Sequence, residues 1–281
     1  MKSIIIKIIV KLLSKLNRRN KRDILEKIEY LIFLANGKNR GSYTIDHEVD
    51  TVVELLHKSK AEEGGVVIDV GANYGNYTQR IYDIFPNLEY FLFEPQKEIF
   101  EKCLNNFESQ KNVKIYNFGL FSENIKKMIY KNETRSKSSQ ALGKYPRHGL
   151  ASFYERKHEI NEGIKYDFKK SDLLELKRFD DLGLEIDKIR FLKIDVEGAE
   201  LEVLKGFGSY LNKTHLIQFE WGRTQLDSKN SFLEYWELLS KYGFDIYRIH
   251  PGGIKKIIKY SWFEEIYIAS NIICINSNLN N

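Results

Sequence analysis

The chain has 281 residues, with 44 Lys+Arg against 39 Asp+Glu, a formal net charge of +5, 42% apolar and 30% charged residues, and only four prolines. That composition excludes collagen-like and disordered classes and suffices for one sizeable core. Cys103 and Cys274 stand far apart without Cys-x-x-Cys or Cys/His spacing, which argues against a disulfide framework or structural zinc site and for a reducing cytoplasm.

The charge is unevenly distributed. Met1 to Arg22 holds eight cations and no acid, leaving 36 cations against 39 acids in the rest. Residues 1–36 therefore read as a basic amphipathic helical arm. Lys7, Lys11 and Lys15 recur every four residues, forming a narrow cationic stripe on a helix that also carries Ile5, Ile6, Ile8, Ile9, Leu12, Leu13 and Leu16. The lysines break up every apolar run and no small-residue cleavage site follows, unlike a signal peptide; the run is also shorter than the roughly 20 apolar residues that span a bilayer. Two readings stay open: peripheral contact with an anionic membrane surface, or packing of the apolar face on the body or on a second copy. Asp23 to Ala35 follows as a second helix, stopped by Asn36-Gly37.

Residues 37–281 read as a single domain. A short helix, Val49 to His57, precedes Val66-Val67-Ile68-Asp69-Val70, an apolar run bounded by glycines as in a strand buried on both faces. Helices at Asn76–Phe85, Gln96–Phe107, Ala199–Lys205 and Phe232–Tyr242 then alternate with strands at Tyr90–Phe93, Val113–Asn117, Arg190–Asp195 and His215–Phe219. This alternation predicts an α/β fold, a doubly wound, mostly parallel, Rossmann-like sheet. Phe244–Ile249, Ile254–Lys259 and Tyr267–Ile275 predict antiparallel C-terminal strands around Pro251-Gly252-Gly253. Between about 123 and 177 the alternation stops, and three β-like pieces (Lys126–Lys131, Ala151–Arg156, Ile164–Lys169) predict an inserted hairpin or flap, mobile around Asn132–Gly149.

The first strand ends in Asp69-Val70-Gly71-Ala72-Asn73-Tyr74-Gly75. The dinucleotide pattern G-x-G-x-x-G is not met, which argues against a pyrophosphate. An acid followed by Gly-x-x-x-Gly suits S-adenosylmethionine: Asp69 orients its amino-acid tail, Gly71 and Gly75 let it pass the backbone, and Asn73 hydrogen-bonds it. Glu94 ends the second strand, where an acid accepts both ribose hydroxyls. Asn117, or Gly119, ends the third strand near the adenine position.

The densest signal is Phe191-Leu192-Lys193-Ile194-Asp195-Val196-Glu197-Gly198-Ala199-Glu200. Lys193 and Asp195 alternate on one face of a strand that should be buried, and so need each other or a ligand as partner. Glu197 and Glu200 also read as acids favouring a helix N-terminus.

These blocks resemble the FkbM-type family of S-adenosylmethionine-dependent methyltransferases. The likeness runs through Val67–Thr78, Phe93–Pro95, Gly119–Ser122, Phe179–Leu182, Leu192–Gly206 and Gln218–Glu220, over roughly Gly65 to Glu220. It implies a class I methyltransferase fold and O-methylation of a sugar, glycan or related metabolite. In that reading Asp195 positions or deprotonates the acceptor hydroxyl while Lys193 and Glu197 shape its charge. Asp195 and Glu220 can alternatively share a Mg²⁺. His250, in a turn at a strand end, is the alternative general base. His148 and Arg147 can meet an anionic substrate. Nucleic acid is a weaker substrate class because the body is slightly acidic, and no Asn/Asp-Pro-Pro-aromatic motif follows the fourth strand. A catalytically idle domain that recruits a membrane or partner through its arm is the remaining alternative.

Overall fold

Five successive residues, Val66–Val70, are all buried and form β1, an interior strand of an eight-stranded sheet. The computed structural model describes residues 2–17, 22–38, 45–132, 151–156 and 168–279. Before β1 come α1 (Lys2–Asn17), α2 (Arg22–Ala35) and α3 (Ile45–Lys58). After it, α4 (Asn76–Ile84), β2 (Glu89–Phe93), α5 (Lys97–Asn106) and β3 (Val113–Tyr116) complete one wing. A separate three-stranded sheet holds β4 (Gly119–Leu120), β5 (Ile125–Asn132) and β6 (Phe168–Lys177) in the order β4-β6-β5. The other wing is β7 (Ile189–Ile194), α6 (Glu200–Phe207), β8 (Thr214–Trp221), α7 (Thr224–Ser228), α8 (Phe232–Lys241), β9 (Phe244–His250), β10 (Gly253–Lys256) and β11 (Ser270–Asn276).

The large sheet runs β10-β9-β11-β8-β7-β1-β2-β3. Strands β3, β2, β1, β7 and β8 pair in parallel, whereas β11 is antiparallel to both β8 and β9 and β10 is antiparallel to β9. This is the doubly wound, mostly parallel sheet with antiparallel C-terminal strands that the alternation predicts. Period-two side-chain alternation divides the core between the faces. Val66, Ile68 and Val70 pack with Leu201, Leu204, Phe207, Tyr235 and Leu239 from α6 and α8. Val67 packs the other way, with Val52, Leu56, Ile81 and Cys103 from α3, α4 and α5 and with Phe85 and Phe107, which cap the latter two. At about 1.5–3 kcal/mol per buried large apolar side chain, these two layers dominate the stability. Helix α8 begins at Ser231, whose side chain and that of Glu234 cap each other's backbone amides.

The structure departs from the expected insert in one place: Ala151–Arg156 makes a single bridge, Tyr130 to Ser152, rather than a strand. Of the β-like piece Ile164–Lys169, residues 164–167 lie outside the described residues, while Phe168 and Lys169 open β6, which continues to Lys177. Residues 133–150, with Arg147 and His148 among them, lie outside the described residues.

Helices α1 and α2 contact each other, yet the aliphatic residues of α1 from Ile6 to Leu13 remain 39–60% exposed. The body does not cover that face. The arm joins it at Gly37, where an added Cβ would strike the Ile249 carbonyl oxygen, and Lys255 Nζ donates to Asn36 Oδ1 at 3.3 Å. No helix among the described residues is long and apolar enough to cross a membrane.

Candidate active site

The carboxyl ends of β1 and β2 bring Asp69, Asn73 and Glu94 together. Asp69 is 1% exposed, and its Oδ2 accepts from Thr78 Oγ1 at 2.5 Å in the first turns of α4. Burial raises its carboxyl, opposed by the Lys193 charge and the Thr78 bond. Glu94 accepts from the Asn73 amide at 3.1 Å and the Gln96 amide at 2.9 Å. Burial nevertheless pushes its carboxyl up to about 7. Three buried acceptor oxygens here have no hydrogen-bond donor: Asp69 Oδ1, Asn73 Oδ1 and Gln96 Oε1. Buried polar atoms are normally satisfied, so this acceptor-rich end fits a ligand that brings an ammonium and hydroxyl groups, as S-adenosylmethionine does.

Gly71, Asn73 and Gly75 all adopt positive φ, which makes the tight turn. Both glycines are also closely approached by protein atoms. A Cβ at Gly71 would strike the Asp195 carbonyl oxygen, and one at Gly75 the Phe107 ring. Asn117, exposed beyond β3, donates to the Glu94 carbonyl at 3.0 Å and the Pro95 carbonyl at 3.3 Å; it braces the β2 turn.

The strand register sets Asp69 opposite Lys193 and Lys193 opposite Gln218, a polar row across three central strands. Lys193 Nζ donates to Asp195 Oδ2 at 3.0 Å and stands 3.9 Å from Asp69 Oδ1. It also lies 4.9 Å from the Tyr77 ring centroid. Burial alone would lower the Lys193 ammonium, but Asp195 and then Asp69 outweigh it and hold it above the ordinary lysine range. Tyr77 donates to Gln218 Oε1 at 2.6 Å, and Gln218 donates to Glu48 of α3 at 3.2 Å. Desolvation, then the charges of Glu48, Asp69 and Asp195, raises the Tyr77 phenol well above its usual value, so it stays a donor. Asp195 follows β7, its amide bonded to the Val70 carbonyl at 2.9 Å, and its side chain is 48% exposed.

The loop after Asp195 is pinned from two sides. Glu200, buried, accepts from the Val196 and Gly198 amides at 3.2 and 3.1 Å and from Gln225 at 2.7 Å. Glu197 adopts φ 54°, rare for a residue with a side chain. Arg156 from the insert pairs with its carboxylate, while Ser152 Oγ donates to its carbonyl at 2.7 Å. Burial pushes the Glu197 carboxyl up to about 7 against the Arg156 charge. Glu220, the penultimate residue of β8 and exposed, is raised well above the carboxylate range by desolvation and then by Glu197, Asp195, Glu200 and Glu48.

Two sequence expectations do not fit this arrangement. Strand order separates His250, on β9, from β7 by β11 and β8, roughly 14 Å at ordinary strand spacing. Its Nδ1 accepts from the Gly252 amide at 3.2 Å, securing the turn. The Mg²⁺ pair Asp195/Glu220 lacks further ligands: among the described residues no group of three or more His, Cys, Asp or Glu side chains could hold a metal ion. Lys193 already supplies the cation at Asp195. Sequence reasoning also missed Tyr77, Gln218, Glu48 and Arg156. Gln218 carries the same signal as Lys193, a polar residue inside an apolar strand, two positions before an acid at its end. Arg156 carries no local signal, because its partner lies 41 residues away.

An open α/β sheet with donor-seeking oxygens at its first two strand ends and carboxylates after its fourth defines the class, S-adenosylmethionine-dependent methyltransferases. The Methyltransferase FkbM domain matches residues 69–246, more than half of the chain, and the protein belongs to that family. It is 25% identical over 178 residues to the 2-O-methyltransferase NoeI of Sinorhizobium fredii, covering 62% of this chain and 69% of that protein. It is 26% identical over 220 residues to Methyltransferase 1 of Beauveria bassiana, covering 69% and 82%. Superposition on the crystal structure of a methyltransferase FkbM from Methylobacillus flagellatus gives a TM-score of 0.43 at 14% identity, spanning 75% of this chain and 43% of that one.

Proposed function

We propose that the protein transfers a methyl group from S-adenosylmethionine to a hydroxyl of a sugar, glycan or related metabolite. The observation that carries this reading is the Lys193–Asp195 pair: a half-exposed carboxylate fixed at 3.0 Å from a buried ammonium, at the strand end next to the acceptor-rich turn. The 2-O-methyltransferase name of the Sinorhizobium fredii relative supports the choice of a hydroxyl acceptor.

When bound, the cofactor supplies an electrophilic methyl on a sulfonium centre. The chain's own residues do the rest. Asp69, Asn73, Glu94 and Gln96 present acceptors to the ammonium and ribose hydroxyls. Asp195 takes the hydroxyl proton or holds the oxygen in line, with Lys193 fixing its rotamer. Glu197, held by Arg156, sets the loop that carries Asp195 and limits water beside it.

The test is a product-release assay with nucleotide-linked sugars and glycan fragments, run on the parent and on Asp195→Asn. Methylation at an oxygen by the parent alone is the expected result. Transfer only to nitrogen or to RNA, or near-normal turnover by Asp195→Asn, overturns the reading.

A further inference from the structure

The arm is not the only exposed apolar feature. Ile258 is 87%, Trp262 71% and Phe263 56% exposed, and the last two rings stack with centroids 3.8 Å apart. This aromatic turn lies beside the root of the arm, where Lys38 Nζ donates to the Phe263 carbonyl at 3.0 Å. Gly37 seats against Ile249 at the end of β9. Both features therefore occupy one corner of the molecule, at the same sheet edge as Asp195. We propose that α1, α2 and the Trp262–Phe263 turn form one surface that docks on an anionic phospholipid bilayer.

Charge complementarity selects that occupant. Residues 1–22 hold eight cations and no acid, outweighing Asp23, Glu26 and Glu29 of α2, and Lys255 and Lys259 precede the turn in sequence. The acids of the turn face inward: Glu264 pairs with Arg248 at 2.7 Å, and Glu265 accepts from the Phe232 and Leu233 amides and from Tyr260. A Trp and a Phe beside lysines are the side chains that settle at a headgroup boundary. A symmetric second copy would instead set each cationic arm against the same cations. The described helices are too short to span, so the contact is peripheral.

The test is co-sedimentation of the full chain with vesicles of phosphatidylcholine alone and with added phosphatidylglycerol, at low and physiological salt. Retention should require phosphatidylglycerol and fall as salt rises. The double substitution Trp262→Ser/Phe263→Ser, and separately Lys7→Glu/Lys11→Glu, should each weaken partitioning about tenfold or more, with unchanged thermal unfolding. Retention that is absent, or indifferent to lipid charge, overturns the proposal. Retention unaltered by Trp262→Ser/Phe263→Ser removes the aromatic turn from it. A lipid-free dimer that the same substitution dissociates assigns the surface to a second copy instead.

Discussion

The two ends of the candidate site are built differently. At the cofactor end, Asp69, Asn73, Glu94 and Gln96 come from two consecutive strand-turn-helix units: Asp69 accepts from the Thr78 hydroxyl, and Glu94 from the Asn73 and Gln96 amides. At the acceptor end, the loop after β7 is held by its neighbours, Glu200 on the Val196 and Gly198 amides and Lys193 on Asp195, and also from afar, by Arg156 and Ser152 in the insert and Gln225 on α7. The cofactor end thus draws on the first two strand-turn-helix units, whereas the acceptor end also draws on the insert and α7, and the two meet where Lys193 stands between Asp195 and Asp69.

The largest expected effect separates the two ends directly. Asp195→Asn should lower turnover by about 100- to 10,000-fold while cofactor affinity, measured by calorimetry, changes only a few-fold. A loss of affinity matching the loss of turnover would show that the ends are one unit. Next comes Arg156→Met, which leaves the partly buried Glu197 unpaired and should cost about 3 kcal/mol in urea unfolding; Glu197→Gln in the same chain should recover part of it. A smaller effect belongs to Glu94→Ala, which strands the Asn73 and Gln96 amides: affinity for S-adenosylmethionine should fall about tenfold or more, with turnover at saturation little changed.

A pH series probes both ends at once. Glu94, Glu197 and Glu200 have carboxyls pushed up to about 7, against about 4.3 in an unfolded chain. The native state therefore holds more protons between those values, so their contribution to stability is complete below the lower value and is lost as pH rises through the upper one. The thermal midpoint should be lower at about pH 8 than at about pH 5, and Glu94→Gln should flatten that slope. A midpoint that rises over this interval contradicts the burial of these groups. The smallest expected effect is that of chelation: EDTA should leave activity unchanged, since Lys193 supplies the positive charge beside Asp195.

How much of this was legible in the sequence follows the same division. Val66–Val70, the turn at Gly71–Gly75 and the β7 block announce themselves because buried parallel strands are continuous apolar runs and their terminal acids break the pattern. The Lys193–Asp195 contact was likewise deducible from period-two spacing. The insert was not: the register of β5 and β6 and the reach of Arg156 depend on pairings across dozens of residues, where no local periodicity speaks. His250 misled because a turn at a strand end looks the same in sequence whichever strand carries it, and only strand order shows that β11 and β8 intervene. The packing of Gly71 against the Asp195 carbonyl and of Gly75 against the Phe107 ring has no local signal, because both contacts cross the chain.

One further consequence lies at the borders of the large sheet. Its outermost strands, β3 and β10, are each four residues long. Lys114 sits on the first, paired with Glu89 at 3.5 Å, and Lys255 and Lys256 on the second, with Lys256 paired to Asp245 at 2.6 Å. An open sheet otherwise offers two ladders of unpaired amides and carbonyls on which another chain can be templated. Short, cationic borders deny that template, so the sheet terminates where it stands instead of propagating from molecule to molecule into fibrils.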